Sequence, residues 1–305
     1  MNYFSLFFTS LSFLATPQKQ FSTLFVPDPP PPLTWTEHWF DHTQVLKRQY
    51  FDNSIALYYD DDMDKSITWP IRYLGAAWAY TQKNYGPFGD SSRLFINLHA
   101  AKYGGGHPST YFDASHDYRN VIDIGQKNSW ADSTGWNLDA TVHEIGHIIE
   151  GSSHHTHNSP AFGIWHDSKW IEIFQYDVYK KLGWESDADR WYTDKMKTID
   201  NFPHPNTQWF KNWFYPIYSE NGETAVLKKF FTLLAENFPK NSIGKDRFEY
   251  TRNLNFGEFV FFWSGAAGKD LKELALHAFG SKDEKGTDWI PQFDQAKKEF
   301  SKIKF

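Results

Sequence analysis

His143, Glu144 and His147 stand in the order H-E-x-x-H, and residues four apart on a helix share one face. Two imidazoles so placed can hold one tetrahedral metal ion, while the intervening carboxylate addresses a water at the ion's open position. The chemistry implied is that of a zinc hydrolase. With 13 His and 13 Glu in 305 residues, chance gives roughly 0.02 such matches in the whole chain.

A catalytic zinc needs a third protein ligand beside the two histidines. Three residues downstream are candidates. Glu172 lies in a segment, 168 to 182, whose Trp170, Phe174, Val178 and Leu182 form an apolar helical stripe ended by Gly183. Glu172 falls off that stripe beside Tyr176 and Tyr179, as expected of a polar cleft wall. His154 follows His147 by seven residues with Gly151 between them, one residue out of register with the H-x-x-G-x-x-H continuation of the metzincin pattern. Asp167 sits just before the segment, where capping the helix is its default role. The order of preference is Glu172, then His154, then Asp167. His154, His155 and His157 otherwise read as a polar loop able to line a substrate rim.

The element carrying the two histidines must turn them toward a cleft and its other face toward a core. Leu138, Val142, Ile145 and Ile149 supply that buried stripe at i, i+4, i+7 and i+11, and Gly151 is placed to end the helix in a left-handed cap. Upstream, Gln44 to Tyr59 reads as a hairpin turning at Asp52-Asn53-Ser54. A helix from Ile71 to Tyr85 follows, capped by Asp64 or Ser66, with Pro70 in its first turn and a stop at Gly86. Arg93 to His99 and Val121 to Gly125 read as strands separated by a loop containing Gly104, Gly105 and Gly106. Beyond Gly151 the pattern is almost entirely helical, at 168 to 182, 209 to 219, 222 to 238, 256 to 266, 269 to 278 and 291 to 302. The expected class is α+β: an N-terminal α/β lobe over 34–151 with a twisted sheet, and a helical lobe over 152–305, with the metal helix between them.

Composition narrows the function classes. A net charge of −6 without a Lys/Arg block gives no reason to expect nucleic acid. The absence of cysteine rules out thiolate ligands and thiol catalysis, leaving His and carboxylates for any metal. Fourteen Trp, 16 Tyr and 28 Phe suit a thick aromatic core or a ring-lined cleft, and most belong to the core. The acidic run Asp60, Asp61, Asp62 and Asp64 lacks the ligand order of a calcium loop and reads as a solvated turn leading into a helix cap. Met1 to Ala15 has no charged side chain and is too short to span a membrane; residues 1–26 read as a signal peptide, which implies a secreted or extracytoplasmic protein, or alternatively as a disordered tail. The run from Pro27 to Pro32, extended to 33, reads as a spacer.

On His143, Glu144, His147 and Glu172 the chain resembles the gluzincin branch of the zincin metallopeptidases. On His143 to His147, the segment Trp213 to Gly222 and the segment Ser264 to Leu271, which together lie in roughly the C-terminal half, it is similar to the enhancin-like and mucin-degrading metallopeptidases. The resemblance implies a zincin-like fold, Zn2+ held by His143, His147 and Glu172, and Glu144 as general base. Tyr218 is the chosen oxyanion donor, with Tyr215 and His157 as alternates, and Asp177 or Asp139 orients a ligand imidazole. The expected partner is a peptide, protein or glycoprotein substrate laid along strand 121–125 or 93–99. Alternatives are a binding or adhesion module with a non-catalytic zinc, and a zinc hydrolase of a non-peptide amide. An intact Glu144 favours catalysis, because a closed structural site has no use for it.

Overall fold

The computed structural model describes residues 29–37, 39, 42–89, 93–167 and 169–305. The expected leader and the start of the proline run lie outside these. The described prolines are not a free spacer: the carbonyls of Pro29 and Pro32 accept hydrogen bonds from Arg93 Nη1 (2.9 Å) and the Tyr58 hydroxyl (2.8 Å).

Six strands, β1 (Thr34–Thr36), β2 (Val45–Phe51), β3 (Ile55–Tyr59), β4 (Leu94–Ala100), β5 (Gly105–Ser109) and β6 (Asn120–Gln126), form one mixed sheet in the order β1-β2-β3-β4-β6-β5. The hairpin β2–β3 turns where the sequence places it. Asp52 Oδ1 accepts the backbone N–H groups of Ser54 (2.7 Å) and Ile55 (2.8 Å), closing an Asx turn. Strands β3, β4 and β6 run parallel, and the outer strands antiparallel to their neighbours. Helix α1 (Trp69–Tyr85) crosses from β3 to β4. It starts at Thr68 without a side-chain cap. Asp64 instead closes a turn by accepting the Ser66 N–H at 2.8 Å.

The period of two assigns each strand residue a face. Leu94, Ile96 and Leu98 of β4, with Ile122 and Ile124 of β6, enter the main core under the helices, whereas Phe95 and Val121 join a smaller cluster on the opposite face with Trp35 and Tyr58. His99 and Asp123 share the parity of that second face.

Helix α2 (Trp136–Ser152) buries Leu138, Val142, Ile145 and Ile149 completely, as its sequence requires. It does not end at Gly151, which is helical; Ser153 is the cap. After α2 come β7 (Thr156–His157), α3 (Phe162–Trp165), α4 (Lys169–Lys181), α5 (Glu185–Lys195), a π turn over Phe210–Phe214, α6 (Tyr215–Glu220) and α7 (Thr224–Asn237). The hairpin β8 (Lys240–Gly244) and β9 (Arg247–Tyr250) and helices α8 (Phe256–Ala267), α9 (Lys272–Phe279) and α10 (Ile290–Glu299) complete the chain. The second half is therefore less purely helical than its pattern suggests, since β7, β9 and β8 form a small sheet. Its core is aromatic: Trp165, Trp170, Trp209, Trp213 and Trp263 are fully buried, and Trp263 stacks on Phe230 at 4.2 Å. Most of the aromatic surplus is thus packing, within an α+β architecture of a mixed sheet and a helical part. No described helix is long and apolar enough to cross a membrane.

Candidate metal centre

Asn137 fixes the entry to α2. It accepts from Gln126 Nε2 at the end of β6 (2.7 Å) and donates to the carbonyls of Ser129 (3.0 Å) and Asp132 (2.9 Å), locking strand, turn and helix together. On the far side α4 crosses α2 at Gly146, where a Cβ would come within 2.9 Å of Ile171. The variable glycine of His-Glu-Ile-Gly-His thus sets how closely α4, and the loop before it, approach the histidines.

The two imidazoles face each other, Nε2 to Nε2, at 3.1 Å. Zinc–nitrogen bonds of about 2.0–2.1 Å at a tetrahedral angle place two such nitrogens about 3.3 Å apart, so the pair fits a shared ion. The carboxylate beside them belongs to Asp167, with Oδ1 3.2 Å from His147 Nε2 and Oδ2 3.9 Å from His143 Nε2. Donor atoms of His143, His147 and Asp167 all lie within 4.8 Å of one another. After α3, anchored by fully buried Trp165, the chain turns through His166 in a left-handed conformation (φ 54°) and brings Asp167 over the histidines. Behind His147, Nδ1 meets Glu150 Oε2 at 2.8 Å. A carboxylate there holds the Nδ1–H tautomer and leaves the Nε2 lone pair for a metal.

Glu144, on the same helix, is buried, and its Oε2 completes no hydrogen bond. Burial pushes its carboxyl up to about 7. Burial, reinforced by the neighbouring His147, pulls His143 down to about 4. At His147 burial acts in the same downward sense but is outweighed by Asp167 and Glu150, which hold the ring up at about 10. Strand β5 presses on Glu144 from the sheet side: a Cβ on Gly106 would collide with Glu144 Oε1. The space in front is a cleft of about 590 Å³ lined by Gly106, Ser109, Glu144, His147, His157 and Asp167, among others. That volume is typical of a small-molecule or peptide site.

The structure does not bring the preferred third ligand to this place. Glu172 Oε1 accepts from Lys169 Nζ at 2.9 Å and from Lys195 Nζ at 3.3 Å, and its carbonyl accepts from Trp191 Nε1 at 2.8 Å. Lys195 and Trp191 belong to α5, which covers the face of α4 that reads in sequence as an open cleft wall. His154 is also elsewhere, its Nε2 3.3 Å from Thr232 Oγ1 on α7.

Tyr218 does not reach the cleft. It is buried and donates to Asp177 Oδ1 at 2.9 Å, alongside Thr224 Oγ1 (2.7 Å), while Tyr80 donates to Asp177 Oδ2 (2.7 Å). Asp177 is thus the hub of a buried hydroxyl network, and Asp139 pairs with Arg190 (2.7 Å) and Tyr179 (2.8 Å); neither orients a ligand imidazole. Glu150 has that position instead, marked in sequence by its i+3 spacing from His147. Tyr215 packs 4.9 Å from Tyr192, ring to ring. Of the three donors considered, His157 lines the cleft, with Nδ1 3.3 Å from Glu249 Oε1. The strand at the cleft is also a different one: β4 and β6 are internal, and the sheet edge that lines it is β5, hidden in sequence within the glycine-rich loop.

No protein-family model matches the chain, and no curated protein matches it in sequence. Among solved structures the chain is similar to aminopeptidase A of Legionella pneumophila in complex with aspartic acid, at 11% identity and a TM-score of 0.48, over 81% of this chain and 27% of that one. It is also similar to the M1 zinc metallopeptidase of Deinococcus radiodurans, at 9% identity and a TM-score of 0.43 over 74% of this chain and 48% of that one. A point mutant of that enzyme gives 11% identity and a TM-score of 0.44 with the same coverage. The chain therefore spans from 27% to 48% of the length of these structures.

Proposed function

We propose that the protein is a zinc-dependent peptidase whose metal is held by His143, His147 and Asp167. The observation that carries this reading is the pairing of two facing imidazoles and a carboxylate with a buried, hydrogen-bond-deficient Glu144 on the wall of an open cleft. A zinc ion bound there supplies Lewis acidity toward a water and toward the scissile carbonyl. Glu144 would accept the proton of the attacking water as the new C–O bond forms, and return it to the leaving nitrogen, whose C–N bond breaks as the carbonyl is restored. His157, braced by Glu249, is the donor available for the developing oxyanion. The edge of β5 beside the metal helix offers backbone groups to an extended chain, which favours a peptide over a compact amide.

Cleavage of a mixed peptide library, read by mass spectrometry, tests the reading. Cleavage is expected to vanish on chelation and to return with added zinc. Cleavage that survives complete metal removal would exclude the mechanism.

The contact between β5 and Glu144 gives a second expectation. In Gly106→Ala the new methyl group displaces the carboxylate, and a misplacement of the order of 1 Å costs about 10²-fold in kcat. Bound zinc is expected to stay unchanged, as metal analysis beside steady-state kinetics will show.

A further inference from the structure

We infer that a second cluster, Glu37, His42, His99 and Asp123, is a structural metal site that closes on a divalent cation of the zinc type with four protein ligands. The four residues come from the β1–β2 connection, the end of β4 and the middle of β6, and their donor atoms lie within 4.8 Å of one another. They occupy the face of the sheet opposite the core helices, on the far side of β6 from the cleft.

The donors are over-supplied with acceptors. Nε2 of His99 carries at most one proton, yet Glu37 Oε1 and Asp123 Oδ2 (3.3 Å) both converge on it. His42 lies between the same two carboxylates, with Nδ1 2.8 Å from Glu37 Oε2 and Nε2 3.6 Å from Asp123 Oδ1. Glu37 Oε1 is buried against His99 Nε2. Two neutral imidazoles carry one N–H each, too few for the carboxylate oxygens that converge on their four nitrogens; one cation serves them together.

Charge and orientation agree. Asp60 Oδ2 stands 3.3 Å from His99 Nδ1, the carboxylate–histidine arrangement that aims the opposite nitrogen at a metal. The other Asp60 oxygen is spent on the backbone N–H groups of Asp62 (3.0 Å) and Met63 (2.9 Å). Three buried carboxylates then meet one nearby lysine, Lys102, whose Nζ is 3.6 Å from Asp60. With both imidazoles neutral, a divalent ion balances two of the three, and Lys102, which also pairs with exposed Asp62 at 2.6 Å, faces the third.

Imidazole and carboxylate donors without thiolate suit zinc in four-coordination. The side chains of Glu37, His42, His99 and Asp123 are each at most 1% exposed, which leaves no position for water or substrate. In the cleft, by contrast, Asp167 is 73% exposed. The buried site is therefore structural: it ties the β1–β2 connection, itself closed by the Glu37 N–H to Gln44 C=O bond of 2.9 Å, to the end of β4 and the middle of β6.

Zinc titration of the metal-stripped full chain, read by elemental analysis, tests the inference separately from the cleft reading. Wild type is expected to bind two equivalents, and the His143→Ala/His147→Ala double variant to retain one. That retained ion is expected to disappear when His99→Gln is added, and zinc is expected to raise the melting temperature of the double variant but not of the triple one. A double variant that binds no zinc, or zinc that persists in the triple variant, would overturn the buried site. Because the double variant alters only cleft residues, its stoichiometry decides the matter even if His99→Gln fails to fold. One equivalent in wild type that is lost with His143 and His147 supports the cleft site and rejects this one.

Discussion

Glu144→Gln is expected to lower kcat by about 10²–10⁴-fold while leaving bound zinc and the melting temperature unchanged. The loss corresponds to about 3–5 kcal/mol of transition-state stabilisation. The amide keeps the volume of the carboxylate against Gly106 but cannot accept the water proton. Because Glu144 Oε2 completes no hydrogen bond, its replacement removes no structural contact at that atom. Steady-state kinetics with metal analysis on the same sample checks the expectation. An equal kcat in the two proteins would remove Glu144 from the chemistry.

The third ligand gives the second large effect. Asp167→Ala is expected to weaken zinc binding by more than the roughly 10–100-fold that follows loss of an outer-shell partner. Stability should change little, because this side chain is 73% exposed. Glu172→Gln should behave in the opposite way. Its carboxylate neutralises buried Lys169 and reaches Lys195, so a cost of about 1.5–3 kcal/mol in unfolding free energy is expected, with zinc affinity retained. The cost stays below the roughly 3–5 kcal/mol of a fully broken buried pair because Asp200 still holds Lys169 at 2.8 Å. Competition against a zinc-chelating dye and chemical denaturation of both variants separate the two roles. Zinc loss in Glu172→Gln with none in Asp167→Ala would reverse the assignment.

What the sequence made legible is what local periodicity encodes. The stripe of α2, the hairpin at Asp52 to Ser54, the strands around Ile96 and Ile122 and most later helices follow from spacing and turn chemistry, because each is decided within a few residues. The two histidines belong to that class: i and i+4 on a helix cannot help sharing a face. Glu172 shows where this stops. Its position off the apolar stripe of α4 is correct as local geometry, but what faces that side is α5, whose polar sequence from Glu185 to Lys195 does not stand out by hydrophobic pattern. Lys195 and Trp191 of α5 turn an expected cleft wall into a buried ion pair. Asp167 carries the reverse lesson. An aspartate before a helix is ordinarily a cap, and only the left-handed turn at His166 sends it to the metal side. Strand β5 was masked by a glycine run in which Gly106 serves close approach to Glu144. Glu37, His42, His99 and Asp123 have no shared spacing at all, since parallel pairing of β4 and β6 brings His99 near Asp123 and the β1–β2 connection adds the other two.

Anomalous diffraction at the zinc edge, from crystals of the zinc-loaded wild-type protein, tests the cleft site most directly. The expected result is a peak about 2.0–2.2 Å from Nε2 of His143, Nε2 of His147 and a carboxylate oxygen of Asp167, with Glu144 beside it but not bound to it. A peak ligated by Glu172, or no peak between the two histidines in zinc-saturated crystals, would contradict it.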